Sequence, residues 1–203
     1  MIENNYESLL NIKTTGEQSW DETKKCYHPY EPTPYFALDK LLERYNINET
    51  DSVIDFGCGK GRLNFYLNYK YNCNVLGIEM DEKFYNQCIV NKKEYIEKSK
   101  NKGDKVNFKC IFAQEYKIED NDNKFYFFNP FSVQIFMKVV DNILISFENN
   151  PRNMDIILYY PSDDYIYYLE NYTPFIQREE VRLDEWYKDD NQERFLIYEL
   201  SCY

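Results

Sequence analysis

The chain holds a single histidine, His28, among 203 residues, which almost excludes a His-ligated metal centre or a Ser-His-Asp triad. Its six cysteines form no CxxC pair and show no metal-ligand spacing. Free thiols in a reducing compartment, with no metal site, are therefore the expectation. Long apolar runs are missing as well: none approaches the ~18–20 residues that cross a bilayer. The opening "MIENNYESLL" has neither the basic nor the apolar region of a secretory signal. A cytoplasmic protein with no membrane partner is expected. Basic side chains are scarce, 24 Lys and Arg against 35 Asp and Glu for a net charge of −11, which disfavours a nucleic-acid partner. Glycine is also scarce, at six residues, yet three of the six fall within the five residues Gly57 to Gly61.

The 21 tyrosines and 14 phenylalanines are enough for one substantial core, and the chain length fits a single main domain. Residues 1–30 lack clear periodicity and are expected to form an N-terminal cap or lid, with the main domain over 31–203. The prolines of "HPYEPTPY" impose an extended path. Phe36, Leu38, Leu41, Leu42 and Tyr45 then repeat at helical spacing. From there strands and helices alternate: "DSVIDF", "NVLGIEM", "KVNFKCIFA", "KFYFFN" and "DIILYYP" read as five strands with helical segments between them. Helices are expected from Gly61 to about Tyr69, over Asp81–Lys100, through Phe136–Phe147 and over Ser162–Asn171. "FIQREEVRL" and "RFLIYEL" follow as a hairpin with no helix between them. This order predicts an α/β three-layer sandwich: a mostly parallel seven-stranded sheet ending in an antiparallel C-terminal hairpin.

The glycine cluster sits in "VIDFGCGKGR", at the end of the first strand. A P-loop requires Ser or Thr after Gly-Lys, but Gly61 and Arg62 follow Lys60. A dinucleotide fingerprint requires glycine at 62, where Arg62 stands. Asp55, two residues before the first glycine, would repel a pyrophosphate, whereas a buried carboxylate there favours a cationic neighbour. Glu79 ends the second strand, where a carboxylate can accept hydrogen bonds from both ribose hydroxyls. The ligand that meets these conditions is a ribonucleoside with a cationic amino-acid tail and no phosphate, S-adenosylmethionine. Lys60 and Arg62 are expected on the surface of the following helix, and Cys58 as a small filler.

Over roughly Pro32 to Leu200 the sequence resembles the class I, seven-strand S-adenosylmethionine-dependent methyltransferases. Within them, "YEPTPYFALDKLL…VIDFGCGKGR…GIEM…FFNPF" is similar to a group of small bacterial members. The resemblance implies a methyltransferase in which Asp55, Phe56, Gly57, Cys58, Gly59 and Gly61 form the methionine-binding loop. It further implies that Glu79 holds the ribose, that Met80 packs on adenine and that Gln114 borders the adenine edge. "NPF" matches part of the [D/N/S]-P-P-[Y/F] motif of amino-methyltransferases. That match assigns Asn129 to orienting the methyl acceptor beside the cofactor and Phe131 to the pocket wall. The same residues read equally as a turn with a helix cap at Ser132. Proline-bounded segments also precede the first strand in seven-strand protein lysine methyltransferases, which implies that Thr33 and Tyr35 close over the cofactor. Tyr159, Tyr160, Asp163 and Asp164 are candidate proton acceptors, or simply a strand end and a helix start. The acceptor is expected to be a small molecule or an exposed amine. A protein lysine, or no acceptor at all in an inactive cofactor-binding regulator, are the alternatives.

Overall fold

The computed structural model describes residues 2–16, 28, 30–99 and 103–202. Seven strands form one sheet: β1 (Ser52–Phe56), β2 (Asn74–Glu79), β3 (Val106–Cys110), β4 (Lys124–Phe127), β5 (Met154–Tyr159), β6 (Ile176–Arg182) and β7 (Arg194–Leu200). Their spatial order is β3-β2-β1-β4-β5-β7-β6. The first five run parallel, and β7 lies antiparallel between β5 and β6. The order reverses between β1 and β4. That reversal opens a crevice at their carboxyl ends, where ligands of open α/β sheets bind.

Period-two alternation assigns the side chains to the two faces. Along β1 and β4, Val53 and Tyr126 join a core with Leu38, Phe65 and Tyr66, whereas Ile54, Phe56, Phe125 and Phe127 join one with Phe136 and Val140. Helices α2 (Tyr35–Arg44), α3 (Arg62–Tyr71) and α4 (Glu82–Ser99) contribute to the first layer. Helices α5 (Val133–Asn149) and α6 (Asp163–Tyr172) contribute to the second. Asp55, two residues from Val53, therefore belongs to the α3 face, and the strand register sets it directly opposite Tyr126.

Two expectations need correction, and the stretch 1–30 gains a helix, although residues 1, 17–27 and 29 lie outside the described ones. Residues 2–10 form α1 (Ile2–Leu10), with Leu10, Ile12 and Thr14 buried against the first layer. This covering explains why Arg62 to Asn68 of α3 are all buried, although a helix packed on a sheet alone would leave one side wet. Between β3 and β4 there is no α-helix, only a 3₁₀ turn at Ala113–Glu115, so the alternation is incomplete. A short helix, α7 (Asp184–Tyr187), interrupts the loop of the terminal hairpin.

Candidate active site

A cavity of about 270 Å³ opens at the carboxyl ends of β1, β2 and β4. Its floor is the turn from β1 into α3. Gly57 and Gly59 hold φ of +79° and +55°, the left-handed region that side chains avoid. Both are also crowded: an added Cβ would come within 2.6 Å of Pro130 at Gly57 and 2.1 Å of the Tyr30 ring at Gly59. The third glycine of the motif does something else. Gly61 caps α3 and faces Phe108 and Phe65, away from the cavity.

Two carboxylates meet at this floor. Glu79 accepts hydrogen bonds from Gly59 N at 2.9 Å and Asp81 N at 2.8 Å, which fixes the carboxylate and leaves further lone pairs. Burial nonetheless pushes its carboxyl up to about 7. Asp55 is pushed up to about 8, first by burial and then by the Glu79 charge. Asn64, with its amide oriented to satisfy both neighbours, donates to Asp55 Oδ2 at 2.9 Å and accepts from Gly77 N at 3.1 Å. A floor of two carboxyls whose ionisation is disfavoured by burial suits a cation, which offsets that cost, and hydroxyl donors. The ammonium-bearing tail and ribose of S-adenosylmethionine supply both, so the residues present fit that cofactor.

The wall and mouth come from far away in sequence. Thr33 lines the cavity, and its Oγ1 lies 2.7 Å from the Tyr126 hydroxyl. Tyr30 lies across Gly59 and donates to Thr14 O at 2.6 Å. His28 donates its backbone N–H to Pro130 O at 3.1 Å, and its Nδ1 lies 2.5 Å from Asn129 O. Lys60 and Arg62 are not surface residues, and this corrects the expectation for both. Lys60 donates to Thr15 O at 2.9 Å and sits over the Tyr30 ring. Arg62, only 4% exposed, donates Nε to Thr14 Oγ1 at 2.8 Å and Nη1 to Thr33 O at 3.2 Å. It also pairs with Glu7 at 3.5 Å and stacks on Tyr35. One cation thus ties three separate stretches of the N-terminal region to the helix that follows the glycine loop.

Of the residues singled out in the sequence, Thr33, Asp55, Gly57, Cys58, Gly59, Glu79, Met80 and Phe131 line the cavity. Tyr35 does not; it is core, stacked on Tyr6 and bonded to Glu7. Phe56 stacks on Phe127 in the second layer. Gln114 is beside the cavity, whose lining there is Ile111 and Ala113, and its backbone O accepts from Asn142. Asn129 lies between two lining residues, Phe128 and Pro130, and its Oδ1 is buried with no hydrogen-bond partner. Ser132 is at the N-cap of α5 but makes no side-chain cap bond. Tyr159 and Tyr160 donate to Glu193 and Asp190, and both phenols are raised, Tyr160 to about 12, so neither is a base. Asp163 and Asp164 start α6 behind its Ser162 cap. Sequence reasoning missed His28, Tyr30 and Tyr126. Only Tyr126 left a signal, its place opposite Asp55 in the alternation of "KFYFF".

A family model described as a methyltransferase domain matches residues 35–158, more than half of the chain. A protein-lysine N-methyltransferase of Saccharolobus islandicus (strain REY15A) is 30% identical over 64 residues, covering 31% of this chain and 40% of that protein. The match therefore spans two fifths of that relative's length. Among solved structures, an RNA methyltransferase from Salinibacter ruber in complex with S-adenosyl-L-homocysteine superimposes with a TM-score of 0.63 at 18% identity. That superposition covers 85% of this chain and 95% of the other. A putative rRNA-methylase from Clostridium thermocellum gives 0.59 at 15% identity, over 87% and 99%. At these identities the solved structures establish the fold.

Proposed function

Because the chain belongs to the class I S-adenosylmethionine-dependent methyltransferases, we propose that it methylates the nitrogen of a basic amine. The observation that carries this reading is Asn129 Oδ1, a buried hydrogen-bond acceptor with no partner, set between cavity residues Phe128 and Pro130. Leaving such a group unpaired costs about 1–3 kcal/mol, which a donor on the incoming acceptor would recover. The surroundings favour a charged donor. Glu31 lines the cavity, and its charge acts on Tyr159, Tyr160 and Glu193 at the β5–β7 end.

Roles for the chain's own groups follow. When bound, S-adenosylmethionine supplies an electrophilic methyl on a sulfonium, so holding the acceptor in line contributes much of the acceleration, about 7–11 kcal/mol. Asp55 and the backbone of Gly57 to Gly59 would hold the amino-acid tail, Glu79 the ribose, and Met80, Ile111 and Ala113 the adenine. Phe131 would wall the acceptor end. His28 and the segment from Tyr30 to Thr33, ahead of α2, act as the cover of the site, and the described part of the 1–30 stretch as a cap. A lysine side chain is one amine of this kind. The Saccharolobus relative bears that activity in its name, and an acidic surface suits a basic protein substrate. The two structural neighbours are named as RNA methylases, but a net charge of −11 opposes a phosphate backbone. No helix among the described residues is long and apolar enough to cross a membrane. Five described thiols, all unpaired, fit a cytoplasmic setting.

Incubation with radiolabelled cofactor and cell extract tests the proposal. Label is expected in an amine-bearing small molecule or in a protein band. Label in RNA would overturn the amine reading, and no label anywhere would favour an inactive, cofactor-binding regulator.

A further inference from the structure

We propose that His28 is a catalytic residue, its Nε2 taking the proton that an amine must lose before it can be methylated. The proposal rests on the amine reading above and adds to it the identity of the base. A carbonyl oxygen only accepts hydrogen bonds, so the contact between Nδ1 and Asn129 O places the imidazole hydrogen on Nδ1. The neutral ring then carries its lone pair on Nε2, which no group among the described residues engages. The second tie, backbone N–H to Pro130 O, holds the same residue to the loop that carries the unpartnered Asn129 Oδ1. The ring itself lines the cavity beside Phe128, Pro130 and Phe131. Base and acceptor-orienting group are thus fixed to one another across 101 residues of sequence.

The other titratable groups facing the cavity are worse placed for this step. Tyr30 and Tyr126 are buried phenols whose protons are held far more tightly than usual. Asp55, Cys58, Glu79 and Asp81 belong to the β1 and β2 ends of the cavity, where the cofactor's tail and ribose would lie. Lys83 and Arg62 are cations, and Arg62 is bonded to Thr14 and Thr33. Glu31 remains as a carboxylate that attracts a cationic amine and steadies an imidazolium.

The balance of the step is simple. The ammonium of the acceptor gives one proton to Nε2, which becomes imidazolium, and the freed lone pair forms the new N–C bond. The C–S bond breaks with its electron pair staying on sulfur as a neutral thioether. The positive charge ends on the methylated nitrogen, and the imidazolium proton leaves to water at the exposed mouth.

With a single imidazole in the chain, a long-range proton–nitrogen spectrum of nitrogen-15-labelled protein, recorded above neutral pH, reports one tautomer. Hydrogen on Nδ1 is expected, and hydrogen on Nε2 overturns the proposal whatever the acceptor is. Single-turnover methylation of poly-lysine supplies the second readout. His28→Gln should lower the rate about 10²-fold. Its KM for poly-lysine should stay within about threefold, and added imidazole should partly restore the rate of His28→Ala. A His28→Gln rate within about threefold of the parent overturns the base assignment while leaving the amine reading intact. Failure of the unmodified protein to label either poly-lysine or any amine-bearing small molecule or protein of a cell extract removes the amine reading itself, and the base assignment with it.

Discussion

The floor of the cavity and its wall are built in opposite ways. The floor is one short uninterrupted stretch, Asp55 to Gly59, plus a second carboxylate, Glu79, at the next strand end. The wall brings Thr33 to Tyr126 across 93 residues and His28 to Asn129 across 101. A backbone cradle needs only local φ values and the absence of Cβ atoms, so it appears as a short motif. A pocket for the methyl acceptor needs side chains at chosen points in space, and any stretch of chain that reaches those points can supply them. Arg62 joins the two halves: it begins the helix after the cradle and holds the segments that form the wall.

Cutting that joint should have the largest effect. Arg62→Met leaves Glu7 as a nearly buried carboxylate without its cationic pair and removes the donors to Thr14 Oγ1 and Thr33 O. Removing one partner of a buried ion pair costs about 3–5 kcal/mol. For a chain of this size that lowers Tm by roughly 10 °C. Adding Glu7→Gln should return part of the loss, because the uncompensated charge goes with it. Thermal melts of both single variants and the double variant measure this coupling, and strictly additive losses would show that the pair is not a unit.

Next comes the floor alone. Glu79→Ala removes the acceptor for Gly59 N and Asp81 N as well as for a ribose. Affinity for S-adenosylhomocysteine should fall about 10²-fold, in line with losing two hydrogen bonds to a charged group. 5′-Methylthioadenosine keeps the ribose but lacks the amino-acid tail, so its affinity should fall equally. Calorimetry on the folded variant decides the point, and unchanged affinity for either ligand sinks the ribose assignment.

These contrasts show which features the sequence could reveal. Asp55 and Glu79 were legible because a carboxylate at the end of an otherwise apolar strand demands a partner. The sheet and its terminal hairpin were legible because alternation and strand order are local. Arg62 was misjudged because nothing nearby announced that α1 would cover the outer side of α3. His28 and Tyr30 stand in a proline-bounded stretch with no periodicity, so only tertiary placement gives them a role. Gly61 is a different case: it belongs to the motif, and its neighbours are Phe108 and Phe65.

The floor also sets a pH dependence of stability and of cofactor binding. Asp55 and Glu79 rise to about 8 and about 7 in the folded protein, from 3.8 and 4.5. With folded values above unfolded ones, both carboxyls favour the fold below about pH 4 and lose that contribution as pH climbs through 7–8. A cationic tail reverses the preference, since it needs Asp55 ionised. S-adenosylmethionine binding should therefore release protons near pH 7 and tighten between about pH 6 and 8, by at most about tenfold per unit. Titrations in two buffers of different ionisation enthalpy would give identical heats if no proton were released, and that result rules out the Asp55 contact.

The smallest effect belongs to the wall. Tyr126→Phe removes the hydroxyl that meets Thr33 Oγ1 at 2.7 Å and leaves a buried threonine hydroxyl unpaired. The cost should be about 1–2 kcal/mol, or a Tm lower by about 2–8 °C. Thr33→Val leaves the Tyr126 hydroxyl in the same position and should cost a similar amount. If this bond is what pins the segment ahead of α2 to β4, the double variant should be little worse than either single one, because both delete the same interaction. Affinity for S-adenosylhomocysteine should stay within about threefold in all three, since the cradle and Glu79 are untouched. A cofactor loss as large as that of Glu79→Ala would mean that floor and wall are one unit after all, coupled through the register that sets Tyr126 opposite Asp55.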